Sequence, residues 1–120
     1  MKNLLIVDDN QDIAKLLKVI LELSGYGVLT ANSGRECLNL LSNNKFDLIL
    51  LDIAMPDITG VDVLKKIKTD PTLAHNKVVF ITASSPTDTV MEGLIKEGAL
   101  EIVKKPITEE KLIEVVTKYA

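Results

Sequence analysis

The sequence predicts an α/β fold in which a five-stranded parallel sheet is doubly wound with five helices. Three observations carry that expectation. Strand-like aliphatic runs alternate with helix-like amphipathic runs five times along 120 residues, the pattern of repeated β–α units. The first strand candidate, Leu4 to Val7, is continuous and aliphatic, as a strand buried on both faces should be. Right-handed crossovers between parallel neighbours then distribute the helices over both sides of the sheet.

The first strand is Leu4-Leu5-Ile6-Val7. Ile13, Leu16, Leu17, Ile20 and Leu21 follow at helical spacing, with Gly25 just past the end, where a left-handed residue closes a helix. Tyr26 to Ala31 reads as the second strand. Ser33-Gly34-Arg35-Glu36 has the form of a capping box ahead of Cys37, Leu38, Leu40 and Leu41 on one apolar face. Leu48-Ile49-Leu50-Leu51 is the third strand. Thr59 then caps a helix burying Val61, Leu64 and Ile67, and Asp70-Pro71 ends it. Lys77 to Thr82 is the fourth strand, followed by a helix with Val90, Met91, Leu94 and Ile95 inward and Gly98 at its end. Glu101 to Lys104 is a short fifth strand. Thr108 opens the last helix, with Leu112, Val115, Val116 and Tyr119 on one face.

Composition narrows the function. At 13.1 kDa, 47% hydrophobic and 26% charged, the chain has the size and content of one folded domain, and residues 1–120 are read as such. Aromatics are only 3%, so the core is aliphatic. A net charge of −3 creates no basic field for nucleic acid or anionic lipid. One cysteine excludes an internal disulfide and a Cys2His2 zinc site. The four apolar residues before Asp8 are too few for a secretory core or a membrane span. The protein is expected to be soluble and cytoplasmic, with no membrane insertion.

In parallel sheets of this kind the carboxyl ends of the strands share one edge, where ligands bind. The first strand ends in Asp8-Asp9, the third in Asp52, the fourth in Thr82 and the fifth in Lys105-Pro106. Clustered carboxylates repel one another, and a divalent cation removes that penalty. Oxygen-only ligands select a hard ion such as Mg²⁺. Mg²⁺ takes one or two carboxylates and fills its remaining positions with water and phosphate oxygens, so the cluster suits a phosphoryl group. A lysine and a threonine hydroxyl can contact that group, and one carboxylate can act as its nucleophile.

Leu4 to Asp9, Leu51-Asp52-Ile53-Ala54-Met55-Pro56 with Gly60, Thr82-Ala83 and Lys104-Lys105-Pro106 together resemble the receiver domains of bacterial two-component response regulators. The likeness extends over essentially the whole chain. It implies the CheY-like, flavodoxin-like strand order 2-1-3-4-5, for which CheY itself is a standard example; the order is carried over from such receivers and not deduced from these residues. It implies that Asp52 is the phosphoacceptor and that Asp9, Asp52 and the Ala54 backbone carbonyl ligate Mg²⁺, with Asp8 acting mainly through water. Thr82 and Lys105 would contact the phosphoryl oxygens, and Lys105-Pro106 would be a cis peptide. The donor would be a sensor histidine kinase or a histidine phosphotransferase. A stand-alone receiver would signal to a downstream protein target without direct contact to nucleic acid. Ile13 and the Pro106-Ile107 loop are the expected kinase-facing patch.

Two departures stand out. Many members of the family carry an aromatic residue where this chain has Ile102, so the expected response is a shift after Thr82 with repacking around Ile102. Ala54 and Ser84 are small residues at positions that influence acyl-phosphate lifetime. Three alternatives compete. An aspartyl-phosphate phosphohydrolase would want a second Asp where Ala54 stands. A flavodoxin-like cofactor binder would want a phosphate-binding loop instead of Asp8-Asp9. A pseudo-receiver would lack some of Asp52, Thr82 and Lys105. Cys37 is read as a core residue and His75 as a solvated one. Gly25-Tyr26-Gly27 precedes a strand and is no dinucleotide fingerprint.

Overall fold

The computed structural model describes residues 1–83 and 86–120; Ser84 lies outside the described residues. The elements alternate as β1 (Asn3–Val7), α1 (Gln11–Leu23), β2 (Gly27–Ala31), α2 (Gly34–Asn43), β3 (Leu48–Asp52), α3 (Gly60–Thr69), β4 (Val78–Thr82), α4 (Asp88–Lys96), β5 (Ala99–Lys104) and α5 (Glu109–Tyr119). The strands form one parallel sheet in the order β2-β1-β3-β4-β5. The central strands β3 and β4 are buried along their whole length, which explains their nearly continuous apolar character.

Side chains alternate between two cores. Leu5, Val7, Ile49, Leu51, Val78 and Phe80 face one layer, closed by Cys37 and Leu41 of α2, Val63, Leu64 and Ile67 of α3 and Leu94 of α4. Leu4, Ile6, Leu48, Leu50, Val79 and Ile81 face the other, closed by Ala14, Leu17 and Leu21 of α1 and Leu112, Val115 and Val116 of α5. Gly25 and Gly98 take positive φ, 96° and 115°, and end α1 and α4 as expected. Among the described residues no helix is long and apolar enough to cross a membrane.

Three helix faces differ from the expectation. Leu16 is 60% exposed and Ala14 is buried instead, because the inward stripe of α1 runs through Ala14, Leu17 and Leu21, and Leu16 stands roughly 100° round the helix from Leu17. In α3 the buried partner is Val63 rather than Val61, which is only half-buried. In α4 only Leu94 is fully buried, while Val90 and Ile95 are about half exposed. That helix packs over the edge strand β5, so a single row of its side chains meets the core. The strand β5 also begins earlier, at Ala99. Its register against β4 is broken once: Val78 faces Ala99, but Val79 faces Glu101.

Candidate functional site

The parallel register brings the strand ends level. Val7 pairs with Leu51, Asp52 with Ile81 and Thr82 with Lys104, so Asp8, Asp52, Thr82 and Lys105 emerge together at one edge. The Asp8 backbone N–H donates to the Ala31 carbonyl at 3.0 Å and that of Lys105 to the Thr82 carbonyl at 2.7 Å, which extends the ladder past the strands. The Lys105–Pro106 peptide is cis.

One carboxylate oxygen from each of Asp8, Asp9 and Asp52 lies within 4.8 Å of the others. Asp8 and Asp52 are buried and Asp9 is exposed. Lys105 Nζ donates to Asp8 Oδ2 at 2.7 Å and to Asp52 Oδ2 at 3.3 Å. The second oxygens are held by backbone: Asn10 N–H donates to Asp8 Oδ1 at 2.9 Å and Ala54 N–H to Asp52 Oδ1 at 3.2 Å. Thr82 is buried at the end of β4. Lys104, next to Lys105, is exposed. The structure therefore gathers Asp8, Asp9, Asp52, Thr82 and Lys105 at the edge where the sequence suggested them.

Three carboxylates against one ammonium leave a formal excess of two negative charges. Burial raises the Asp52 carboxyl above its ordinary range; the Lys105 charge opposes this and the Asp8 charge adds to it. Burial alone would pull Lys105 down, but the hydrogen bond to Asp8 and the charges of Asp52 and Asp8 outweigh it and hold the ammonium above its ordinary value. An oxygen-only cluster, two of its three carboxylates buried and short of positive charge, suits a hard divalent cation.

The loop after Asp52 is tightly held. Gly60 N–H donates to the Ile53 carbonyl at 2.7 Å. A Cβ at Gly60 would fall on the Asp52 carbonyl oxygen and 2.9 Å from Ile53 Cα, so only glycine lets α3 start this close to the site. Met55 and Ile58 pack on the core beneath, leaving Ala54 exposed above. Asp57, which sequence reasoning passed over, accepts hydrogen bonds from Gly34 and Arg35 at the start of α2. An Asp after a Pro is an ordinary turn residue, and nothing in the local sequence marked it.

Beside Lys105 lies an open, mainly apolar cleft of about 310 Å³, lined by Ile13, Leu16, Leu17, Ile81, Pro106 and Ile107 among others. The remaining candidates lie elsewhere. Cys37 is buried, and burial pushes its thiol up to about 12. His75 is exposed in the loop before β4. Ile102 pairs with Phe80 and packs, partly buried, against the core shared by α2, α3 and α4.

The sequence pattern of the response regulator receiver domain matches residues 4–117. The polar-differentiation response regulator DivK of Brucella ovis is 36% identical over 119 residues, covering 98% of this chain and 95% of that protein. The fold superposes on the response regulator protein TrrA of Thermotoga maritima, solved in complex with Mg²⁺-BeF, with a TM-score of 0.85, 34% identity and full coverage of both chains. It also superposes on a CheY-like receiver domain protein of Methanospirillum hungatei with a TM-score of 0.88 and 32% identity, covering 98% of this chain and 92% of that one.

Proposed function

The chain belongs to the response regulator receiver domains, the phosphoacceptor switches of two-component signalling, and on that premise we propose that Asp52 is its phosphoacceptor. The observation that carries this reading is the cluster of Asp8, Asp9 and Asp52 oxygens, bridged on one side by the Lys105 ammonium. Asp9, Asp52 and the Ala54 carbonyl would hold Mg²⁺, with Asp8 assisting through water. When bound, Mg²⁺ supplies the positive charge that lets a phosphoryl group approach a site already rich in carboxylates.

Asp52 then attacks the phosphorus of a phosphohistidine on a sensor histidine kinase or a histidine phosphotransferase. An O–P bond forms to Asp52 as the P–N bond breaks, and its electron pair returns to the imidazole nitrogen, which takes a proton from water. The backbone N–H of Ala54 steadies Oδ1 of Asp52, and Oδ2 makes the attack as the Lys105 ammonium that it faces turns its hydrogen bond to the incoming phosphoryl group. Lys105 neutralises one phosphoryl oxygen, and the Thr82 hydroxyl hydrogen-bonds another.

The apolar cleft supports docking of the donor against Ile13 and the Pro106-Ile107 loop, beside Lys105. Residues 1–120 act as one receiver in the cytoplasm, and the phosphorylated form signals to a downstream protein target rather than to nucleic acid. Ala54 offers no acid or base two residues after Asp52, which supports a switch rather than an enzyme that turns over small phosphate esters.

Incubation with Mg²⁺ and acetyl phosphate, followed by intact mass measurement, tests the reading. A single phosphoryl adduct is expected on the wild type and none on Asp52→Asn. An adduct that persists in Asp52→Asn overturns the assignment.

A further inference from the structure

We propose that Asp57 is a positioning residue for the cation site, clamping the loop between β3 and α3 onto the first turn of α2. The inference rests on the Mg²⁺ reading above and extends it to a residue that touches neither cation nor phosphoryl group. Both carboxylate oxygens of Asp57 are engaged across the fold: Oδ1 accepts from Gly34 N–H at 3.1 Å and Oδ2 from Arg35 N–H at 3.0 Å. Backbone hydrogen bonds, led by that from Arg35, hold its carboxyl below the ordinary carboxylate range. Gly34 is shaped for the approach, because a Cβ there would fall on Ile58 Cγ1 and lie 2.9 Å from Val63 Cγ2.

The tie is placed to matter for the site. The strands β2 and β3 flank β1, so Asp57 links the segments that follow β2 and β3 on either side of the strand delivering Asp8 and Asp9. Its loop starts at Asp52 and carries Ala54, whose N–H holds Asp52 Oδ1 and whose carbonyl is the proposed backbone ligand. Gly60 fastens the far end against Ile53. Without Asp57, the stretch between them would keep the packing of Met55 and Ile58, including that of Ile58 against Gly34, but lose its hydrogen bonds to α2.

Helix capping alone is a weaker account. The helix α2 already has its own cap, since Ser33 Oγ accepts from Glu36 N–H at 3.1 Å and Glu36 Oε2 accepts from Asn32 N–H at 3.2 Å. Ser33 serves the helix only, whereas Asp57 joins the helix to the loop. Outer residues that orient metal ligands commonly change metal affinity by about 10–100-fold when removed. The lower end applies here, because Asp57 acts through a backbone carbonyl and an N–H.

Calorimetric Mg²⁺ titration of the whole protein, with thermal unfolding and circular dichroism on the same samples, separates the accounts. Asp57→Ala should bind Mg²⁺ about tenfold more weakly than wild type. Asp57→Asn, which keeps one acceptor oxygen, should recover part of that loss. Ser33→Ala should lower the melting temperature comparably while leaving Mg²⁺ affinity within about twofold, as a helix cap predicts. Unchanged binding in Asp57→Ala overturns the clamp. So does equal weakening in the Asn and Ala variants, which would reduce Asp57 to its charge, or parallel weakening in Ser33→Ala, which would reduce it to a cap. A wild type that binds no Mg²⁺ overturns the cation reading itself, and the clamp with it.

Discussion

Replacing Lys105 with methionine keeps the apolar stem but removes the ammonium that holds Asp8 and Asp52 together. All three side chains are largely buried, at 16%, 5% and 7% exposure for Lys105, Asp8 and Asp52. Removing one partner from a buried ion pair typically costs about 3–5 kcal/mol, because the remaining charge stays uncompensated. Asp9 leaves the cluster open on one side, so the lower figure applies, about 3 kcal/mol at neutral pH in the presence of a chelator. For a domain of this size that is a fall of roughly 10 °C in melting temperature. The loss should depend on pH. Lys105 has a raised folded value, so its stabilisation is complete below the ordinary lysine range and fades only as pH rises through the folded value. Asp52 also has a raised folded value, so its charge is a burden at neutral pH that protonation relieves. The gap between wild type and Lys105→Met should therefore be widest near pH 7 and narrow as pH falls through the raised folded value of Asp52. Added Mg²⁺ should restore much of the lost stability at pH 7. Thermal unfolding by circular dichroism, with and without Mg²⁺ across that pH range, measures all three effects. A gap that persists unchanged below the raised Asp52 value, or is indifferent to Mg²⁺, would refute the electrostatic account of the site.

Neighbouring residues respond to the same forces. Asp52→Asn removes a buried charge whose ionisation opposes folding, so it should gain about 1 kcal/mol at pH 7, as expected for a functional carboxylate. The gain should shrink as pH falls through the raised Asp52 value, and a variant no more stable than wild type at pH 7 would count against it. Gly60→Ala would force α3 away from the Asp52 carbonyl and strain the Gly60–Ile53 hydrogen bond. The expected cost is about 3 kcal/mol, overpacking and a weakened hydrogen bond together; a shift in denaturant midpoint worth under about 0.5 kcal/mol would show that the loop yields. Cys37, buried with its thiol pushed up to about 12, should react with a thiol reagent only when denaturant opens the fold. Labelling within minutes in native buffer would contradict that burial.

Much of this architecture is legible without coordinates, for physical reasons. Strands buried on both faces are continuously apolar, so Leu48 to Leu51 and Val78 to Ile81 announce the centre of the sheet. Parallel strands end at one edge, so the acids after Val7 and Leu51 and the lysine after Lys104 could be brought together before their distances were known. What stays hidden depends on partners distant in sequence. An amphipathic stripe reveals that α1 and α4 bury one face, but neither the exact line along which α1 meets the sheet nor how narrow the surface under α4 is, and so Leu16 of α1 and Val90 and Ile95 of α4 are exposed. The role of Asp57 rests on backbone groups 22 and 23 residues earlier, which no local pattern signals. The early start of β5 is concealed by its irregular pairing with β4.

That irregularity bears on how the chain tolerates change in length. Leu100 is the surplus residue, left without a counterpart in β4 between the Val78–Ala99 and Val79–Glu101 pairs. Ala99 belongs to the core beneath α2, α3 and α4, Val103 to that beneath α1 and α5. Carried along the ladder instead, the surplus residue would move every later side chain to the opposite face. Lys105 would lie one step, about 3.3 Å, further on and aimed away from the acids. By taking up slack near its start, the strand insulates the position of its lysine from the length of the segment that leads into it.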